Sequence, residues 1–389
     1  VRMIYAVAGT IAPSRPWLRP LIYASSLLPY ASANIVTTDT LLTFWEALGV
    51  LGFVEYWKSV EDGRRVSRLV LMWFGFAVAF LTKGPPGLLP LLAIVSFVVI
   101  AQGRKAAAGL INIWGVAGFV VFGLGWYIAV AAIKPGLATY FLSDEVMKRI
   151  ATDTHHRNAH WYGWLVVYVP TLILGTLPWT HTLLRGTGTL PGKIFSRLWW
   201  REKLMRDKWD VFLGLWLLLP LAVFCLSRSR LPLYILPLFP ALALLTGKRL
   251  SGWQPRRSVV VLIALWVLVL FALKGGVPLF PYKRDSRPLA RVIGAHFIPA
   301  PYEFLFFEPP PFWGISLYLD CEVEHVRLTP SLSPVAPDEG ENILQELAEE
   351  WPRVFLVTGK QRCGEVEALL NSSGYSVRKV GETDRFAFL

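Results

Sequence analysis

The chain has 389 residues, of which 54% are hydrophobic and 17% are charged, and its mean hydropathy is +0.46. Soluble globular proteins carry about 25% charged residues. These values exclude a soluble enzyme, a disordered chain and a disulfide-stabilised scaffold, and they indicate a multi-pass membrane protein. Three cysteines are too few for a cysteine-rich zinc module.

The first apolar run, Val1–Ala12, is shorter than the roughly 20 residues that a membrane helix needs. We interpret it as the remainder of a helix and expect the sequence to be truncated at its N-terminus. Nine further apolar runs each predict a helix: Leu18–Val36, Leu41–Trp57, Val66–Leu81, Pro86–Ala101, Ala108–Ile133, Trp164–Leu184, Val211–Leu226, Leu231–Gly247 and Val259–Leu273.

The connections between these helices form two alternating sets with different charge. One set, which includes 185–208, carries 19 Lys and Arg, and the other, which includes 134–163, carries seven. Basic loops face the cytoplasm, so we place the second set and the tail after Leu273 on the outer face. The sequence therefore predicts a multi-pass membrane protein whose C-terminal domain is extracytoplasmic, in the periplasm or its equivalent.

Charge also separates the tail from the rest of the chain. Residues 1–275 hold 28 Lys and Arg against 11 Asp and Glu, whereas residues 276–389 hold 11 against 16. We expect a membrane domain over 1–275 and an extracytoplasmic domain over 276–389. Cytoplasmic basic loops account for the net charge of +12, so we expect membrane lipids, and no nucleic acid, as partners.

Extended segments alternate with helical ones in the tail, which predicts a small α/β layer structure. The fold class is thus a polytopic, mainly α helix bundle with a small C-terminal α/β domain. Cys321 and Cys363 could form a disulfide there, although spacing alone does not establish one. The predicted strands are Glu303–Phe307, His325–Leu328, Val354–Val357, Tyr375–Val380 and Arg385–Leu389, and the predicted helices are Leu289–Phe297, Ile343–Trp351 and Glu365–Leu370.

Two short outer turns carry charged residues at membrane depth, where ionisable groups are costly and often functional. Asp39 follows two threonines at the start of a helix, so it suits either helix capping or a catalytic carboxylate that accepts a proton or orients a hydroxyl. Lys83, in Thr82-Lys83-Gly84, suits either an interaction with lipid headgroups or a phosphate contact.

The long outer connection 134–163 is the richest in polar residues. Arg149 and Arg157 are candidate phosphate ligands because guanidinium groups bind phosphate through two donors, and Glu145 is a further candidate. His155 and His156 are further site candidates. They precede His160, but no HExxH motif accompanies these histidines. We therefore predict no metal ligands and no certain cofactor, while a divalent metal stays possible.

The hairpin Ser227–Tyr234 carries Arg228 and Arg230, which run against the positive-inside trend. An anionic ligand at this surface would explain both arginines, and Tyr234 adds a hydroxyl. Several outer segments thus offer cations and one offers a carboxylate, as a site for a membrane-embedded lipid phosphate requires.

These segments occur in the same order in one known family. The chain resembles the polytopic C-type glycosyltransferases of the aminoarabinose transferase and protein O-mannosyltransferase superfamily over about residues 1–250. The segments that carry the resemblance are Thr38-Asp39, Leu81-Thr82-Lys83-Gly84, Gly125-Trp126-Tyr127, Tyr140-Phe141 with Glu145 and Arg149, Gly175-Thr176-Leu177-Pro178-Trp179, and Ser229-Arg230-Leu231-Pro232 with Tyr234.

The resemblance is to the bacterial branch of the family, so it implies a location in the bacterial inner membrane with a periplasmic C-terminal domain. It also implies transfer of a sugar from a polyprenyl-phosphate carrier to a lipid A, glycan or protein acceptor on the outer face of that membrane. It implies that Arg149 contacts the carrier phosphate, that Arg230 and Tyr234 lie near that phosphate, and that Asp39 is an acidic site residue. The matching role of Lys83 is less defined.

The chain also departs from the family pattern. The family's principal catalytic Asp would precede Val1, so we expect the chain as it stands to be an inactive fragment. Val146 replaces a family His, which weakens any inferred metal site. A lipid-linked glycan transporter or flippase, or an enzyme resembling O-antigen ligases, is the alternative, but neither inverted repeats nor paired broken helices support a transporter.

Overall fold

The computed structural model describes the chain except for residues 60–63, 135, 141–157, 159, 186–201, 203, 281, 283–284, 297–302, 308–310, 329–340 and 351–353. It contains two compact units, Val1–Gly275 and Gly276–Leu389. The first is helical and the second is an α/β unit, which confirms the predicted fold class.

The helices of the first unit follow the predicted apolar runs. They are α1 (Arg2–Ile11), α2 (Leu18–Ser25), α3 (Leu27–Ser32), α4 (Thr38–Lys58), α5 (Arg65–Lys83), α6 (Leu89–Gln102), α7 (Arg104–Ala108), α8 (Ile113–Gly118), α9 (Gly125–Ile133), α10 (Leu137–Tyr140), α11 (Gly163–Gly175), α12 (Thr180–Arg185), α13 (Lys208–Leu226), α14 (Phe239–Arg249) and α15 (Arg257–Gly276). A π-helical segment, Phe119–Leu124, joins α8 to α9, and 3₁₀ turns at Pro85–Leu88 and Pro232–Leu238 lead into α6 and α14.

Several of these helices are long and apolar enough to cross a membrane. Among the described residues, five segments meet that length and composition: Arg65–Lys83, Pro85–Gln102, Ile113–Ile133, Lys208–Leu226 and Arg257–Leu279. The first unit is therefore a multi-pass membrane unit.

Helices α4 and α5 form an antiparallel pair with unusually close backbones. A Cβ atom on Gly75 would lie 2.4 Å from the backbone nitrogen of Gly49, and one on Gly52 would lie 2.5 Å from that of Met72. Small residues at such contacts allow membrane helices to approach closely. Phe53, Phe76, Phe97, Phe212 and Trp216 pack beside this contact and join α4 and α5 to α6 and α13 in the main core.

The second unit is a six-stranded sheet with helices on both faces. Strands β1 to β4 are parallel, and β6 and β5 add antiparallel strands, in the order β3-β2-β1-β4-β6-β5. The strands are β1 (Glu303–Phe307), β2 (Glu322–Arg327), β3 (Glu341–Asn342), β4 (Val354–Gly359), β5 (Gly381–Glu382) and β6 (Phe386–Phe388).

The helices of the second unit are α16 (Ser286–His296), α17 (Ser316–Leu319), α18 (Ile343–Glu350) and α19 (Cys363–Ser372). Alternate residues of β1 point to opposite faces, as strand geometry requires. Leu305 packs with α18 and α19, while Phe304 packs with α16. Cys363 belongs to the first of these clusters and Cys321 to the second, and both are free thiols. The two cysteines therefore do not form the disulfide that their position suggested.

Candidate functional site

The site begins where α4 starts and α5 ends. Thr37 has an extended backbone and α4 begins at Thr38, which places Asp39 in the first helical turn, where a negative charge is favoured by the helix dipole. Lys83 lies in the last turn of α5, and Gly84, with φ of 72°, ends that helix. A left-handed φ suits glycine because it has no Cβ. The antiparallel pairing thus brings Asp39 and Lys83 to one end of the bundle.

Asp39 and Lys83 form an ion pair. The Lys83 Nζ donates a hydrogen bond to Asp39 Oδ1, and the side chains are only 9% (Asp39) and 18% (Lys83) exposed. The Lys83 Nζ also lies 4.6 Å from the centre of the Tyr234 ring. A cation over an aromatic face is stabilised, more strongly when it is desolvated. These contacts hold the ammonium between a carboxylate and an aromatic ring.

The sequence left helix capping by Asp39 and a lipid-headgroup contact of Lys83 as alternatives to a functional role. The start of α4 has no side-chain capping hydrogen bond from Thr37, and the Asp39 carboxylate binds Lys83. Lys83 points to Asp39 and Tyr234. The structure therefore brings together three of the predicted site residues, Asp39, Lys83 and Tyr234, from α4, α5 and the 3₁₀ turn Pro232–Leu238.

Arg230 is close to this 3₁₀ turn, but its guanidinium donates its hydrogen bonds to backbone carbonyl oxygens. The side chain is buried, and Nη1 donates to the carbonyl oxygens of Asn158 and His160, both at 2.8 Å, while Nη2 donates to that of Cys225 at 3.0 Å. Arg230 thus ties the end of the long outer connection to the end of α13. Its proposed contact with a phosphate stays a prediction.

The other predicted site residues are Arg228 and five residues of the long connection 134–163. Arg228 is exposed in the turn after α13. Glu145, Arg149, His155, His156 and Arg157 lie outside the described residues. In the described part of the chain, one group of carboxylates has a spacing suited to a metal ion, and it lies in the second unit: Glu303, Glu324 and Glu346, whose oxygens are within 4.8 Å of one another.

The structure adds two polar residues to the first unit's site that the sequence interpretation missed. Glu46 is only 2% exposed, and it lies seven residues after Asp39, on the same face of α4. Both Asp39 and Lys83 are close enough to interact with it electrostatically. Trp216 of α13 is 1% exposed and lines the same cavity as Glu46. The signal that could have revealed Glu46 is a glutamate inside the apolar run Leu41–Trp57.

Comparison with known proteins gives both sequence relatives and related structures. Two undecaprenyl phosphate-α-4-amino-4-deoxy-L-arabinose arabinosyl transferases match: that of Yersinia enterocolitica is 30% identical over 234 residues, and that of Pseudomonas aeruginosa is 34% identical over 235. The matches cover 60% and 59% of this chain. The chain spans about two fifths of the length of these relatives, 39% in each case.

The fold matches the crystal structures of ArnT from Cupriavidus metallidurans. The structure bound to undecaprenyl phosphate has a TM-score of 0.70 at 18% identity and covers 99% of this chain and 80% of that one. The apo structure has a TM-score of 0.67 with the same coverage. No protein-family profile matches the chain. The ordered motifs, the sequence relatives and the fold agree: over about 60% of its length the chain is similar in sequence to aminoarabinose arabinosyl transferases, and it has the fold of ArnT.

Proposed function

We propose that the protein is a membrane glycosyltransferase that moves an aminopentose from undecaprenyl phosphate to lipid A on the periplasmic face. The observation that carries the proposal is the buried Asp39–Lys83 ion pair beside Tyr234, at one end of the helix bundle. The relatives named for transfer of 4-amino-4-deoxy-L-arabinose and the ArnT structure that holds undecaprenyl phosphate supply the donor's chemistry.

The proposed reaction is a displacement at the anomeric carbon of the sugar. The acceptor oxygen forms the new bond, the bond to the carrier phosphate breaks, and the polyprenyl phosphate leaves with the electron pair. Lys83 is a compact positive charge that can stabilise the phosphate as negative charge develops on it. Asp39 holds the Lys83 ammonium in place and can orient the acceptor.

Topology supports a reaction on the periplasmic face. The turns that contain Asp39, Lys83 and Tyr234 belong to the set of connections that is poor in Lys and Arg, and basic loops are kept in the cytoplasm. From the same counting we infer a periplasmic position for the second unit, Gly276–Leu389. The undecaprenyl-linked donor, the acceptor and the site at Asp39 and Lys83 would then lie at the same leaflet of the membrane.

Transfer can be tested with the complete protein reconstituted in vesicles that contain lipid A and undecaprenyl-phosphate-linked 4-amino-4-deoxy-L-arabinose. We expect mass spectrometry to show aminopentose on lipid A. Lys83→Ala should lower the rate by at least about 100-fold, as expected for loss of a group that stabilises transition-state charge. Lys274→Ala, which changes an exposed lysine in the last turn of α15, is the matched control and should leave the rate unchanged.

Two results would contradict the proposal. One is donor movement across the bilayer without formation of glycosylated lipid A, which would favour the flippase alternative. The other is full transfer activity in the Lys83→Ala variant, which would remove Lys83 from the site.

A further inference from the structure

Most of the large hydrophobic side chains that the second unit exposes lie in two short segments. Among its described residues nine such side chains are exposed, and all except Leu328 and Val380 belong to 277–282 or 313–318. Single exposed hydrophobic residues are normal on a soluble domain, whereas a contiguous group marks an interaction surface. The seven residues of the two segments, here called the interfacial patch, are each between 55% and 85% exposed: Val277, Leu279, Phe280, Tyr282, Trp313, Leu317 and Tyr318.

Contacts at the start of α16 bring the two segments together. The Arg287 Nη2 donates a hydrogen bond to the carbonyl oxygen of Pro278 at 2.6 Å, and Arg287 is close enough to Tyr318 to interact with it electrostatically. On the preceding residue, Ser286 Oγ lies 2.6 Å from the position that a Cβ atom on Gly314 would take, so Gly314 packs directly against Ser286. The interfacial patch is therefore one surface, at the N-terminal end of α16.

The segment that follows β1 divides its apolar side chains between the core and the surface. Ile315 is fully buried in the cluster that contains Phe304, and Leu319 packs against the same cluster. Trp313 and Leu317, which lie between these positions in the chain, are exposed. The segment thus already contributes to the core of the second unit, and its exposed residues require an apolar environment from outside that unit.

The chain itself places one end of the patch at the membrane surface. Helix α15 has 20 residues, Arg257–Gly276, and such a helix is roughly 30 Å long, which is about the thickness of the hydrocarbon layer. A span that starts at Arg257 therefore leaves this layer near Gly276, and Phe280 and Tyr282 follow in the headgroup region. Tryptophan and tyrosine are enriched in that region because their rings are apolar and each carries one hydrogen-bonding group.

We propose that the interfacial patch inserts into the interfacial layer of the bilayer that α15 spans, so that the second unit is attached to the membrane surface at the N-terminal end of α16. Lipid is the partner because the patch continues the lipid-exposed surface of α15. Only 6% of the most apolar stretch of Arg257–Leu279 is buried by protein, and Phe280 comes directly after it. The inference depends neither on the transfer reaction nor on which side of the membrane the second unit lies.

The test measures the membrane depth of single spin labels on the complete protein, in a cysteine-free background that includes Cys225→Ala, Cys321→Ala and Cys363→Ala. One label is attached after Leu317→Cys and the control label after Ser372→Cys. Ser372 is exposed at the end of α19, which packs on the opposite face of the sheet from α16. The protein is reconstituted, one copy per disc, into nanodiscs of phosphatidylethanolamine and phosphatidylglycerol. Electron paramagnetic resonance compares collisions of each label with oxygen, which dissolves in lipid, and with a water-soluble nickel chelate.

We expect the Leu317 label to collide mainly with oxygen and to lie about 5–10 Å inside the headgroup boundary, as the apolar faces of interfacial helices do. The Ser372 label should collide mainly with the nickel chelate. Adding Phe280→Asp and Trp313→Asp should move the Leu317 label into water, because charged side chains are costly in lipid. Val380→Asp changes an exposed apolar residue outside the patch and should leave the Leu317 label in lipid.

Three results would overturn the proposal. Equal access of the nickel chelate to both labels would show that the patch faces water in a single copy, as it would if its partner were a second copy of the chain. A Leu317 label that neither oxygen nor the chelate reaches would show that another segment of the same chain covers the patch. A Leu317 label that stays in lipid after Phe280→Asp and Trp313→Asp would show that the patch does not hold the second unit on the bilayer.

Discussion

The position of Arg230 in the sequence made it a candidate site residue, but the sequence did not show which groups its side chain contacts. The sequence places this arginine in an outer hairpin and indicates an anionic ligand. In the structure, three backbone carbonyl oxygens accept hydrogen bonds from its two Nη atoms. These carbonyls belong to segments up to 72 residues away in the chain, so no local pattern could reveal them.

Replacing Arg230 should therefore destabilise the fold as well as affect any reaction. Arg230→Ala removes three hydrogen bonds, to the carbonyls of Asn158, His160 and Cys225, although the Gly163 N–H still donates to that of His160. We expect a loss of about 3 kcal/mol in the free energy of unfolding, since each hydrogen bond contributes about 1 kcal/mol net. The measurement is thermal or denaturant unfolding in detergent.

Arg257→Ala, an exposed arginine at the start of α15, is the control for loss of a positive charge. Equal stability of the Arg230 and Arg257 variants would show that the three carbonyls are satisfied without Arg230.

Other site residues were accessible to sequence interpretation to different degrees. Asp39 and Lys83 lie in short polar turns between apolar runs, so charge at membrane depth was enough to select them as candidates. Glu46 lies inside an apolar run, and the side chains around it include Trp216, which is distant in the chain. Pairs of this kind are defined by packing rather than by any feature of one segment.

Among the elements, the pair of α4 and α5 determines the geometry of the site. Asp39 and Lys83 meet because the two helices run antiparallel with glycines at their contact. The apolar runs predicted both helices, and their ends agree within a few residues. The glycine contact was not predicted, because which helix face packs closely depends on the partner.

Gly75→Ala should separate α4 from α5. The new Cβ would lie 2.4 Å from the nitrogen and 2.7 Å from the Cα of Gly49, and backbone atoms cannot turn aside as a flexible side chain can. Overpacking of this kind costs about 1–3 kcal/mol. We expect a lower unfolding temperature in detergent and a weaker Asp39–Lys83 contact, seen as reduced transfer activity.

The matched substitution is Gly118→Ala in α8, where no atom of the described structure lies within 4 Å of the added Cβ. It should be neutral or slightly stabilising, because alanine favours helix over glycine. An unfolding temperature for Gly75→Ala as high as that of Gly118→Ala would rule out the close contact.

For the whole molecule, composition was the most informative property. Hydropathy and the alternation of basic loops predicted a polytopic bundle, and strong local periodicity predicted most strands and helices of the second unit. The strand expected over Tyr375–Val380 was wrong: these residues are not in a strand, and β5 is Gly381–Glu382. Its position is determined by pairing with β6, in which Gly381 lies opposite Phe388. Such long-range pairing is not encoded in the local pattern.

Topology is testable with reporters fused to the complete protein. An alkaline phosphatase fused after Leu389 should be active and a green fluorescent protein at the same position should be dark, because the second unit is expected in the periplasm. Fusions after Arg206, in a connection that is rich in Lys and Arg, should give the opposite result. Fluorescence from the fusion after Leu389 would contradict the proposed orientation.

The ion pair within one helical hairpin also bears on how the protein enters the membrane. In the proposed orientation Asp39 and Lys83 both have to reach the outer surface, and moving an isolated charge through the hydrocarbon layer is costly. Because the two charges lie at the open ends of α4 and α5 and meet directly, the hairpin can cross as a unit with these charges neutralised. The residues proposed for phosphate chemistry would then be assembled during insertion, before the second unit has been synthesised.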